Sequence, residues 1–255
     1  MISKKIAIVT GVSRLKGIGH AICIELAKKN FDIFFTYWTN YDKQMPWGIF
    51  DNEPDIIENE IREFGVNCHK IELDLSINES VDILLNAVDN KIGFPSILIN
   101  NATYSTSTNI DNLTAIELDK HYAINLKATT LLTIGFIKRF KFTSGGRIII
   151  LTSGQSLGQM SDEIAYAITK GAIETLTYTL SNQAGQKGIT INAVNPGPTD
   201  SGWMDDELKN TIISKTAMNR IGMPIDAARL IGFLASDEAE WITGQVIHSE
   251  GGFMR

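Results

Sequence analysis

KKIAIVTGVSRLKGIGHAICIELAKK, residues 4–29, decides the architecture of this chain. Residues 4–10 form a short run rich in β-branched side chains that stops at Gly11, and residues 18–29 repeat apolar side chains at helical spacing. The stretch predicts strand, loop, helix. The loop, TGVSRLKGIG, carries Gly11, Gly17 and Gly19. Glycines between a buried strand and a helix let the backbone approach a pyrophosphate, whose charge the helix N-terminus favours. Turns need glycine for positive φ in any case, so it is the placement at the first strand end that gives the loop meaning.

Working outward, strand and helix signals alternate along the whole chain. Residues 31–37, containing DIFFTY, read as a second strand, 55–64 as a helix and 66–73 as a third strand. Ser76, with Glu79 three residues on, has the form of a capping box for the next helix. A fourth strand at 96–100 ends in Asn100-Asn101-Ala102, and a polar linker leads to a long helix over about 114–140 with Asn125 near its middle. Asparagine is unfavourable inside a helix, so Asn125 either satisfies a buried backbone group or has a specific partner. The apolar run 147–152 is a fifth strand, 188–194 a sixth and 244–248 a seventh, with a helix at 224–236 between the last two. The turn Asn195-Pro196-Gly197-Pro198-Thr199 closes the sixth strand, and residues 198–219 read as a mobile substrate lid. This alternation predicts one α/β domain over residues 1–255: a Rossmann-type, doubly wound, parallel seven-stranded sheet with helices on both faces.

Residues 41–54, YDKQMPWGIFDNEP, interrupt the pattern with two prolines, a glycine and several aromatics. The segment is longer than most connections. It covers a ligand, meets a partner subunit or decorates the surface, and the sequence does not choose.

Composition narrows the function. A chain of 255 residues with 44% hydrophobic content buries a large core. Its formal charge of -6 and its scattered basic residues leave no footprint for nucleic acid or an anionic membrane surface. The start runs directly into the first strand, and no charge-free apolar run is long enough to span a bilayer, so a cytoplasmic location is expected. Cys23 and Cys68 lie in apolar segments and read as buried thiols, and the four histidines lack ligand spacing, so no metal site is expected.

The chemistry gathers in SGQSLGQMSDEIAYAITK, residues 153–170. Tyr166 and Lys170 are four apart, which on a helix puts both on one face, one turn apart. A free tyrosine titrates near ~10, and lowering that by about three units takes roughly 4 kcal/mol. One cation about 4 Å away supplies energy of that order at an effective dielectric of about 20. Ser153 follows the fifth strand directly, at the sheet edge where open α/β folds bind ligands. Serine, tyrosine and lysine together suit polarising a carbonyl and protonating its oxygen. Taken alone the pair is also ordinary, since tyrosine and lysine at this spacing are common on surface helices.

The end of the second strand, eighteen residues past Gly19, is where a dinucleotide fold tests the adenosine ribose. An acidic residue there would bind both ribose hydroxyls. Tyr37 stands in that position, followed by Trp38 and Thr39, with no carboxylate before Asp42, and Arg14 in the glycine loop could reach a 2′-phosphate. The pattern therefore favours NADP(H) over NAD(H). Asp74, closing the third strand, could bond an adenine amine or simply begin a helix.

With these motifs in order, the chain resembles the short-chain dehydrogenase/reductase family from about residue 4 to residue 253. The resemblance implies that Tyr166 is the general acid/base, that Lys170 lowers its pKa while binding the nicotinamide ribose, that Ser153 holds the substrate oxygen, and that Asn125 supports a proton-relaying water. It also implies that Gly11, Ser13, Arg14, Gly17, Ile18 and Gly19 line the phosphates and adenosine. Asp74 and Leu75 would meet the adenine, Asn101 and Ala102 the ribose side, and Pro196, Gly197 and Thr199 the nicotinamide. A homotetramer, built through the two long helices, is implied as well. The sequence departs from the family in three places: five residues rather than three separate Gly11 from Gly17, as if Leu15-Lys16 were inserted; Thr103 replaces a glycine after Asn-Asn-Ala; and 41–54 is long. Within the family the pattern looks most like the 3-oxoacyl-acyl-carrier-protein reductases, which implies an acyl thioester substrate. The stretch Leu180-Ser181-Asn182-Gln183 lacks the arginine those enzymes use for the acidic carrier, so a free small ketone, sugar or polyol stays open, as does a non-catalytic dinucleotide-sensing regulator.

Overall fold

The β-branched and aromatic runs become strands because both of their faces find apolar cover. In the computed structural model, which describes residues 4–50 and 52–254, these are β1 (Ile6–Val9), β2 (Asp32–Tyr37), β3 (Cys68–Glu72), β4 (Ile97–Asn100), β5 (Gly146–Leu151), β6 (Ile189–Asn195) and β7 (Val246–His248). They form one seven-stranded sheet in the order β3-β2-β1-β4-β5-β6-β7, with every neighbouring pair parallel. Every residue of β4, β5 and β6 is buried, as a parallel sheet covered on both faces requires.

Alternate side chains feed the two faces. Ala7, Val9, Ile33 and Phe35 pack with Ile22 and Leu26 of α1 (Ile18–Lys28), Ile57 and Ile61 of α3 (Glu53–Arg62), and Ile231 and Leu234 of α9 (Pro224–Leu234). Ile8, Phe34, Leu98, Ile148 and Ile150 face the other way, toward α4 (Ser80–Lys91), α6 (Thr129–Arg139) and α7 (Ile164–Gly185). The fold is therefore the doubly wound α/β sheet read from the sequence. β1 sits between β2 and β4, where the strand order reverses, so a crevice opens at the carboxyl ends of β1 and β4.

Several local readings change. Part of the interrupting segment is helical, as α2 (Thr39–Lys43), because Tyr41 and Asp42 find partners inward. Ser76 caps no helix. α4 begins at Ser80, whose hydroxyl donates to the Asp74 carbonyl, and the Asp74 side chain accepts the Ser76 N–H at 2.8 Å, so the carboxylate at the strand end organises the turn in place of a capping box. The long helix over 114–140 is not uniform: α5 (Ala115–His121) passes into a π-helical stretch, Tyr122–Ala128, before α6. Asn125 sits in the middle of that wider turn, a feature that recurs at functional sites. Residues 198–219 contain α8 (Asp206–Lys215), capped by the Asp205 side chain. Cys23 and Cys68 are buried free thiols, as expected.

Candidate active site

The lengthened glycine loop keeps its course because the two extra residues fold into a turn of their own. Leu15 and Lys16 occupy the corner between Arg14 and Gly17, closed by the Gly17 N–H donating to the Arg14 carbonyl at 3.0 Å, and α1 starts at Ile18 immediately after. The corner is anchored from outside. Glu53 accepts the Leu15 N–H at 2.6 Å, while the His20 ring faces the Leu15 carbonyl at 2.7 Å and the Glu60 carboxylate at 2.8 Å. Gly11 has φ +72°, and a Cβ there would lie 2.6 Å from the Ala102 Cα, so only glycine lets β1 and β4 end this close together.

Asn101 joins the same two strand ends. Its side-chain amide donates to the Thr10 and Gly11 carbonyls at 2.8 and 2.9 Å, and the Thr10 hydroxyl accepts the N–H groups of Asn101 and Ala102 at 3.0 Å. The side chain placed on the ribose by resemblance is thus engaged in bracing the crevice. Thr103 stands in its family's glycine position without strain, and its hydroxyl donates to Asn125 at 3.1 Å.

Asn125 is 1% exposed and makes four hydrogen bonds: Oδ1 accepts from Thr103 and from the Tyr104 N–H, and Nδ2 donates to the Tyr104 carbonyl and the Thr169 hydroxyl. Both alternatives read from the sequence hold together, since it satisfies a buried backbone and ties the strand-four loop to α7.

A cavity of about 860 Å³ runs along the carboxyl ends of the strands. Gly11, Ser13, Arg14, Gly17, Ile18 and Gly19 line one part of it, with Tyr37, Asp74 and Leu75 beside them. Asn101 and Ala102 lie midway, and Ser153, Tyr166, Pro196, Gly197 and Thr199 line the far part. Asn125 and Lys170 stand behind the wall rather than in it, buried at 1% and 3% exposure. Gly197 has φ +66°, and a Cβ would come within 2.4 Å of the Glu250 side chain, which fixes the course of the proline turn.

Tyr166 and Lys170 are one turn apart on α7, with the ammonium 5.4 Å from the ring centroid. The electrostatics differ from the sequence reading in one respect. Lys170 Nζ donates to the Leu151 carbonyl at 2.8 Å, and burial pushes its pKa down to about 8. Burial, with help from Glu163, pushes the Tyr166 phenol up, and the hydrogen bond from Ser153 lowers it only in part. The expected depression by the lysine is absent: burial dominates at both groups, and Lys170 is not among the influences on the phenol.

Sequence reasoning missed the rest of the lining. Tyr41, Asp42 and Trp47 come from the interrupting segment, Trp203, Leu208 and Ile212 from residues 198–219, and Met160 and Glu163 from the entry to α7. No local pattern marks them. Only their segments were signalled, 198–219 as a lid and 41–54 as a long aromatic connection with a ligand cover among its readings.

The residues fit a dinucleotide: a glycine backbone at a helix N-terminus and a protonated phenol with a serine line one cavity of about 860 Å³. Fold and site define a nicotinamide-dinucleotide oxidoreductase of the α/β class. Residues 11–254 match the family model described as Enoyl-(Acyl carrier protein) reductase, and the chain belongs to the short-chain dehydrogenase/reductase family. It is 50% identical over 254 residues to the uncharacterized oxidoreductase YjdA of Bacillus subtilis (strain 168), covering 99% of this chain and 98% of that one. It is 30% identical over 253 residues to the 3-oxoacyl-[acyl-carrier-protein] reductase FabG of Staphylococcus epidermidis, covering 97% and 98%. Among solved structures it is similar to the angucycline C-6 ketoreductase LanV with bound NADP, with a TM-score of 0.86 and 29% identity over 97% of this chain and 95% of that one. No helix among the described residues is long and apolar enough to cross a membrane, and no cluster among them could hold a metal ion.

Proposed function

We propose that this chain is an NADP(H)-dependent carbonyl reductase, with Ser153, Tyr166, Lys170 and Asn125 as its working residues. The observation that carries the reading is that Ser153 and Tyr166 line the same cavity as the glycine loop, with Lys170 one turn along the same helix and its ammonium 5.4 Å from the tyrosine ring. A nicotinamide held along the glycine loop would supply the hydride for the carbonyl carbon. Ser153 holds the carbonyl oxygen, and Tyr166, kept protonated by burial, gives that oxygen its phenolic proton. Lys170, whose proton is labile near pH 8, returns a proton to the tyrosine. Asn125 acts by holding the loop at Tyr104 and α7 at Thr169 in register. Ser13, Arg14 and Tyr37 would hold the adenosine end, and the lack of an acidic residue at Tyr37 supports NADP(H). So does a bound NADP in LanV, a structural relative.

A 3-oxoacyl thioester is the first substrate reading, supported by likeness to FabG. A free apolar ketone is the second, favoured by Met160, Trp203, Leu208 and Ile212 in the lining of the same cavity and by the absence of a basic residue at 180–183. Oxidation of NADPH against acetoacetyl-CoA and a panel of free aliphatic, aromatic and sugar ketones separates the two. Tyr166→Phe should lower kcat by at least about a hundredfold while nucleotide affinity stays within about threefold. Near-normal turnover in that variant sinks the assignment. Tight NADPH binding with no ketone reduced points instead to a redox-sensing regulator.

We also propose that residues 198–219 close over the substrate and that the chain assembles as a tetramer. Ile116, Leu131, Ile168 and Tyr178 stand exposed on the two long helices, as unpartnered apolar side chains at an interface would. A single-chain mass by light scattering removes the tetramer.

A further inference from the structure

We infer that Asp42 restrains this protein's preference for NADP(H) by holding Arg14. The inference rests on the dinucleotide reading of the cavity and extends it to a residue outside the strand end where such folds test the ribose.

Arg14, Asp42 and Trp47 form a compact unit at the cavity rim beside Ser13, Tyr37 and Trp38. The Asp42 carboxylate lies 3.0 Å from Arg14 Nε and accepts the Trp47 indole N–H at 2.9 Å, and Ser13 beside it helps to hold its pKa down. The Arg14 guanidinium stacks 5.0 Å from the Trp47 ring, and its Nη1 donates to the Ser201 carbonyl at 2.9 Å. Both side chains are largely withdrawn from water, Arg14 at 15% exposure and Asp42 at 8%.

Serine, arginine and an indole N–H converging on one point make an anion site. A phosphate on the adenosine ribose, at the end of β2, would need these same donors. The internal carboxylate already engages them, and Glu53 adds a second negative charge close to it. An incoming 2′-phosphate therefore meets an arginine whose charge is largely balanced and must compete with Asp42 for it. A ribose 2′-hydroxyl meets no such repulsion. The inserted segment thus carries a counter-charge that lets the site accept both dinucleotides, although the β2 end itself, at Tyr37, opposes neither.

The test is titration of intrinsic fluorescence with NADPH and with NADH in wild type, Asp42→Asn, Arg14→Gln and the double variant. Asparagine keeps an acceptor for Trp47 and Ser13 but loses the charge. Asp42→Asn should raise the ratio of NADPH to NADH affinity by at least about tenfold, and the same change made in the Arg14→Gln background should move that ratio less than about threefold. Asp42→Ser takes its place where the asparagine variant lacks the wild-type circular dichroism. A ratio unmoved by the loss of Asp42, or moved equally in both backgrounds, overturns the inference while leaving the dinucleotide reading intact. Wild-type protein that binds neither nucleotide overturns both.

Discussion

The two ends of the cavity are held by different means. At the tyrosine end every working group hangs from a regular element: Ser153 follows β5, Tyr166 and Lys170 share α7, and Asn125 sits in the π-helical stretch between α5 and α6. Asn125 and Lys170 are buried behind Ser153 and Tyr166, which face the cavity, and their positions follow from the sheet and its helices. At the arginine end the groups come from three separate places, the glycine loop, α2 with the residues just after it, and the turn at 198–203, and are tied by an ion pair, an indole hydrogen bond and a turn. Burial therefore holds the tyrosine end, and charge pairing holds the arginine end. A desolvated lysine is costly and cannot be rearranged cheaply, whereas an ion pair near the rim can exchange one anion for another.

The largest expected effect lies in the buried end. Burial lowers the Lys170 pKa from its ordinary 10.5 to about 8. Below that pH folded and unfolded chains both hold the proton, and folding bears the whole cost of burying the cation. From about pH 8 upward the unfolded chain keeps a proton that the folded chain has released, so this group's contribution to stability rises with pH. Cys23 and Cys68, whose thiols burial raises, and Tyr166 pull the other way at higher pH. The lysine is accordingly read as a difference between wild type and Lys170→Met in urea unfolding. Relative to that variant, wild type should gain on the order of 2 kcal/mol between pH 8 and 10. A difference flat across that window means that Lys170 keeps its proton in the folded chain as a solvated lysine does, and the contrast between the two ends collapses.

The same contrast explains what could be read in the sequence. Alternating strand and helix signals foretold the sheet, because each run has to cover a face. Tyr166 and Lys170 could be paired because helical spacing alone sets their separation. The glycine loop was legible as a loop, but not the turn at Leu15-Lys16, which depends on Glu53 and His20 from outside it. Asp42 and Trp47 were invisible as site residues. Their contacts with Arg14 lie about thirty positions away in sequence, and no local periodicity encodes them. The direction of the Tyr166 shift was misread for a related reason: sequence gives the neighbouring charge but not the dryness of the corner, and the dryness wins.

A smaller effect probes the rim directly. Glu53, the first residue of α3 and 9% exposed, accepts the Leu15 N–H on one carboxylate oxygen at 2.6 Å and the Phe50 N–H on the other at 3.2 Å. One side chain therefore ends the interrupting segment and pins the lengthened glycine loop, at a helix N-terminus that favours its charge. Glu53→Gln keeps one acceptor but turns an NH₂ group toward one of the two N–H donors. That should cost about 1 kcal/mol in urea unfolding, since a partly buried donor is left facing another donor. Binding should weaken severalfold as the loop loosens, and NADH is the ligand to use, because its ribose carries no phosphate and so separates loop order from the charge effect on Arg14. If stability and NADH affinity both stay at wild-type values, the loop and the inserted segment are independent neighbours. Asp42 would then have to hold Arg14 without help from the helix that follows it.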